Sequence, residues 1–209
     1  MLAGMEAAQV QSALQLIESE SDLNSRALLL AALVSELFRE QGFEPVIVGG
    51  SAIEFYTDGA YMSGDTDICW SGSRNPTPAE RGEIMSHIPG SKRKGTRSWA
   101  IAGLWVDLLG ELSSYGKSSH FSMRTPLGQV VLLTVEELLA ERVFAARKWT
   151  GFNADDEQCA RKLLACVLGQ GLPCDWAEAR RIAALPAYRC ADELEDMRRE
   201  VETELASDG

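Results

Sequence analysis

Two acidic residues, Asp65 and Asp67, stand two apart in Gly64-Asp65-Thr66-Asp67-Ile68. In an extended segment, residues two apart point to one side, so both carboxylates are presented together. Carboxylates that close repel one another unless a cation neutralises them. An all-oxygen donor set suits Mg²⁺ or Mn²⁺. The pair alone decides nothing, because 31 acidic residues in 209 give about four to five such pairs by chance. A third acid, Asp107, interrupts the apolar run Leu104-Trp105-Val106-Asp107-Leu108-Leu109. An unpaired carboxylate buried there is costly. It calls for a metal or a basic partner, and Arg97 on a neighbouring strand is the candidate for the second.

A different chemistry is suggested upstream by Val46-Ile47-Val48-Gly49-Gly50-Ser51. A short β-branched run that stops at two glycines has the signature of a buried strand. Glycines let a backbone approach phosphate closely, and a helix N-terminus offers free N–H groups with partial positive charge. Ser51 and Glu54 have the spacing of a capping box, which predicts a helix from Ser51. The plain alternative is a tight strand-to-helix turn that binds nothing.

These residues need elements to hold them. Apolar residues at helical spacing predict helices over 6–18 and 24–41, the second stopped by Gly42. A strand is expected from Asp65 to Trp70, and Thr77-Pro78-Ala79-Glu80 marks a helix start with proline at its first position. Two strands follow near Arg97–Ala102 and Leu104–Leu109 with Gly103 at the turn, then a hairpin over Phe121–Leu133 across Pro126-Leu127-Gly128. From Thr134 the pattern turns helical. One helix should reach about Trp149 and a second should cover Asp155 to Leu168. Two charged amphipathic helices then run between Asp175 and Ala206, broken near Pro186. The outline is a mixed α/β (α+β) domain over residues 1–133, with a helical C-terminal portion over 134–209.

The net charge of −11 argues against a general nucleic-acid groove, since phosphate binding needs a basic face. Ser91 to Arg97 nevertheless places Lys92, Arg93, Lys94 and Arg97 within seven residues. That run is a candidate for triphosphate or RNA contact, although most charge runs are solvated loops. The five cysteines are scattered and form no CxxC pair, so they read as thiols of a reducing cytoplasm rather than a zinc or disulfide framework. The longest apolar stretch, Ala27 to Leu37, is too short to span a bilayer. The N-terminal segment lacks the basic cluster of a secretory signal. No membrane partner is expected.

Taken in order, strand, Gly49-Gly50-Ser51, helix, Asp65-Thr66-Asp67 and a later strand with Asp107 resemble the polymerase-β-like nucleotidyltransferase superfamily. The chain looks most like its minimal bacterial members, including the AbiEii toxin-like group. Thr134 to Arg142, followed by Asp155-Asp156, looks like the helix in which such proteins place a basic residue and then an acidic pair; the toxin-like members usually carry lysine where Arg142 stands. The resemblance spans about Pro45 to Leu164 and implies a nucleotidyltransferase-fold mixed sheet flanked by helices. It also implies that Asp65, Asp67 and Asp107 are catalytic and hold Mg²⁺ or Mn²⁺, and that Gly49, Gly50, Ser51 and Arg142 bind the nucleotide. The reaction implied moves a nucleoside monophosphate from a nucleoside triphosphate to an RNA, protein or small-molecule hydroxyl. A toxin-like role with a cognate antitoxin is one form of it. The competing reading is a non-catalytic nucleotide-binding or regulatory module that retains the fold, against which the complete acidic set speaks.

Overall fold

Strand β2 (Thr66–Trp70) alternates buried and half-buried residues, so Thr66, Ile68 and Trp70 face a packed interior while Asp67 and Cys69 face the other way. That alternation fixes the register of everything around it. The computed structural model describes residues 5–117 and 120–207, and the first four residues of the N-terminal segment lie outside them. These residues divide into two compact units.

The first unit comprises residues up to Phe55, Met62–Ser113 and Phe121–Leu132. It is built on a seven-stranded mixed sheet of order β3-β4-β5-β2-β1-β7-β6. The remaining strands are β1 (Pro45–Val48), β3 (Lys92–Arg93), β4 (Ser98–Ile101), β5 (Leu104–Glu111), β6 (Phe121–Thr125) and β7 (Gly128–Leu132). Strand β2 is antiparallel to β1 and parallel to β5, whereas β4 and β5 form a hairpin through Ala102-Gly103. Both turn residues have positive φ, 49° and 79°, as a two-residue hairpin turn matching the strand twist requires. Helices α1 (Ala7–Ser19) and α2 (Leu23–Glu40) pack together, and α2 lies against β7 and β1. Phe38 of α2, Phe43 and Trp70 form an aromatic cluster with centroids 4.7–6.1 Å apart. Such edge-on contacts add to the area that the rings bury.

The predicted hairpins and helices appear within a residue or two of their expected ends. Two local expectations fail. Helix α3 (Gly49–Tyr56) begins at Gly49, and Ser51 and Glu54 do not form its cap. Lys92 and Arg93, expected in a solvated loop, instead form the edge strand β3, pairing with Ala100 and Trp99. The capping box at Thr77 of α4 (Pro78–Ser86) does form.

The second unit comprises 56–61, 114–120 and the chain from Leu133 onward, and is helical. Helix α5 (Val135–Phe144), capped by Thr134, runs into one turn of π-helix over Ala145–Trp149. It packs against α6 (Ala154–Gly169) and α7 (Trp176–Ala183), while α8 (Ala191–Ser207) packs on α6 and α7. Glu157, Arg147, Arg161, Glu200 and Glu204 form one ion-pair network across its surface. All five cysteines are free thiols. Among the described residues no helix is long and apolar enough to cross a membrane.

Candidate active site

Three strands meet at one rung of the sheet. Val48, the last residue of β1, pairs with Asp67, and Asp67 pairs on its other side with Asp107 of β5. Neighbouring strands bring paired side chains together on one face, so Asp67 and Asp107 stand side by side. Asp65 occupies the bend just before β2 and accepts from the Ser63 hydroxyl at 3.4 Å. One carboxylate oxygen from each of Asp65, Asp67 and Asp107 lies within 4.8 Å of the others. Asp65 is exposed and the other two are half-buried.

The glycine turn is packed directly against this cluster. Gly49 has φ of 62°, and a β-carbon built on it would lie 3.0 Å from Asp67 Oδ2. Both the left-handed backbone and the close approach require glycine there. Ser51 is buried, and its hydroxyl donates to Val48 O at 3.0 Å and accepts from the Asp67 backbone N–H at 3.1 Å. Its side chain therefore ties helix α3 to β1 and β2. What remains available to a phosphate at this turn is backbone N–H.

Glu54 was read in the sequence only as a helix-cap partner of Ser51, yet it has another role here. It is buried, and its carboxylate accepts from Ser63 N at 2.6 Å, anchoring the segment that delivers Asp65. Burial pushes its carboxyl above the usual carboxylate range, against the Ser63 hydrogen bond that lowers it. The only sequence signal for this role was the Ser51/Glu54 spacing, which reads equally as a cap.

Arg97 does not neutralise Asp107. No ion pair joins them among the described residues, and the Arg97 charge is felt instead by Arg81. Arg81 is itself buried and donates to Pro76 O and Leu108 O at 3.0 and 2.7 Å. Asp65 and Asp107 are likewise without an ion pair among the described residues. Three carboxylates clustered this closely fit a divalent cation, because an all-oxygen set of this kind is what Mg²⁺ and Mn²⁺ prefer.

Arg142 lies in the second unit. Its guanidinium donates to Asp156 at 2.7 Å and to Glu141 at 2.8 Å. Burial works against its charge, but the two carboxylates outweigh it and raise its pKa above the ordinary arginine value. Asp155 sits in the first turn of α6, where Asn153 caps its backbone N–H.

No protein-family model matches the sequence, and neither does any curated protein. Solved structures do. A crystal structure of an antigenic nucleotidyltransferase-like protein from Paracoccidioides brasiliensis superposes with a TM-score of 0.54 at 14% identity, over 84% of this chain and 94% of that one. This is a nucleotidyltransferase-like fold. ANT(2″)-Ia in complex with adenylyl-2″-tobramycin aligns over 84% of this chain and 97% of that one, at 14% identity and a TM-score of 0.49.

Proposed function

We propose that the chain is a nucleotidyltransferase that moves a nucleoside monophosphate from a nucleoside triphosphate to a hydroxyl acceptor. The observation that carries this reading is the convergence of Asp65, Asp67 and Asp107 within 4.8 Å beside the Gly49 turn, in a fold of that class.

Asp65, Asp67 and Asp107 would hold Mg²⁺ or Mn²⁺, which when bound neutralises phosphate charge and favours in-line displacement. The backbone N–H groups in the first turn of α3, at Gly49, Gly50 and Ser51, would receive phosphate oxygens. Gly49 keeps that turn tight against Asp67, and Ser51 holds both in register. Asp107 accepts the proton of the acceptor hydroxyl. The new O–P bond forms at the α-phosphorus, the bond to the β-phosphate oxygen breaks, and pyrophosphate leaves. A nucleotide-binding role for Arg142 rests on the family resemblance alone. A toxin-like role with an antitoxin partner rests on the family resemblance alone.

Thermal unfolding tests the site without requiring turnover. A ligand that binds only the folded state at a hundredfold excess over its Kd stabilises by about 2.7 kcal/mol. Mn²⁺ with a non-hydrolysable nucleoside triphosphate should raise the Tm of the wild type, and the increment should vanish in Asp67→Asn/Asp107→Asn. An equal increment in both proteins would remove the acidic cluster from the site.

A further inference from the structure

The sheet face that carries the acidic cluster continues outward to the sheet's edge. Along β5, Trp105 lies two residues from Asp107, so both project from the same face about 7 Å apart, opposite the buried Val106 and Leu108. Across the hairpin Asp107 pairs with Ser98 and Trp105 pairs with Ala100. Ala100 pairs in turn with Lys92, and the Lys94 backbone N–H donates to Ser98 O. One row thus runs Asp67, Asp107, Ser98, Lys94, and the next runs Trp105, Ala100, Lys92. Lys92, Lys94, Ala100, Ala102 and Trp105 line one shallow cavity of about 450 Å³.

The composition of this shelf is unusual for the chain. Trp105 is 44% exposed, a large aromatic surface left to solvent in a cavity it shares with Ala100, Ala102 and Gly103. Among the described residues neither Lys92 nor Lys94 has a carboxylate partner, although the chain carries a net charge of −11. Arg93, which alternates to the other side, is already committed to Gly95 O, Thr96 O and the Trp99 ring. Lysines on an edge strand also discourage aggregation, but that role does not call for an exposed tryptophan on the same face two strands away. An exposed π-face with cations further along the same sheet face is how single-stranded nucleic acid is held without sequence readout.

We propose that this shelf binds the acceptor, and that the acceptor is the end of a single-stranded oligonucleotide. Its base stacks on Trp105, its phosphates sit on Lys92 and Lys94, and its terminal hydroxyl is directed along β5 toward Asp107. The assignment as acceptor rests on the transfer reading above, whereas the binding itself does not.

Anisotropy of a short fluorescein-labelled single-stranded RNA, measured with the full chain in EDTA over a range of salt concentrations, tests it. Wild type should bind, and a mononucleotide should compete poorly. Trp105→Ala should weaken binding about tenfold or more, while Trp105→Phe retains most of it. Lys92→Gln/Lys94→Gln should flatten the slope of log affinity against log salt by about 1.4. Unchanged melting temperatures in these surface variants separate lost contacts from lost folding. Absence of RNA binding in a protein that still takes up metal and nucleoside triphosphate would overturn the shelf and leave the transfer reading standing. A mononucleotide that competes as well as the strand would also overturn it. RNA bound at the shelf by a protein that transfers no label to any nucleic acid would overturn the acceptor assignment.

Discussion

At the scale of single residues, the site depends on contacts that leave no spare room. Gly49 shows this most directly, because its φ of 62° and the 3.0 Å approach of Asp67 Oδ2 each work against a β-carbon. Gly49→Ala should therefore cost about 1–2 kcal/mol of stability from the left-handed backbone alone, read by chemical denaturation. Transferase activity should fall further than stability, since Asp67 must move. A variant as stable and active as wild type would show that the turn does not support the cluster. Asp65 and Asp67 were legible in the sequence because a period of two is a local pattern, and Asp107 because it is a lone acid in an apolar run; the structure brings the three together. The roles of Ser51 and Glu54 were not. Their spacing matches a capping box, yet Ser51 bonds to Val48 and Asp67 while Glu54 bonds to Ser63, partners that only the folded sheet brings near.

At the scale of elements, carboxylates strap irregular segments to helices. In the second unit Glu137 of α5 accepts from Tyr115 N and the Ser114 hydroxyl. Glu178 of α7 accepts from Lys117 N at 2.9 Å and pairs with Arg181 at 2.6 Å. The Arg181 guanidinium, followed by the Lys117 backbone donor, holds the Glu178 carboxyl down at about 2, against an ordinary 4.5. A carboxyl depressed on folding stabilises fully above its unfolded pKa, and loses that contribution as pH falls through the folded value. The Tm of wild type should thus fall between pH 4.5 and 2 more steeply than that of Glu178→Gln; parallel curves would show that this strap contributes nothing. The long periodic helices and the two hairpins were readable from pattern and turn chemistry. Strand β3 was not, because two residues carry no periodicity and only pairing with β4 makes them a strand.

At the scale of the whole molecule, an acidic chain places two lysines that have no carboxylate partner among the described residues, Lys92 and Lys94, at one sheet edge. Net charge argues against a broad basic groove, and the structure places Lys92 and Lys94 on the sheet face of Asp107. That arrangement could not be read from the run of cations alone, since alternation sends Arg93 to the other face. The central claim remains the chemistry of the acidic cluster, and transfer of label tests it most directly. Each α-labelled nucleoside triphosphate would be incubated with RNA and Mg²⁺ or Mn²⁺, with wild type beside Asp65→Ala/Asp67→Ala. Label should pass to the acceptor only with wild type and metal. Equal labelling by the double variant, or none from any nucleotide on RNA, protein or small-molecule acceptors, would contradict the account.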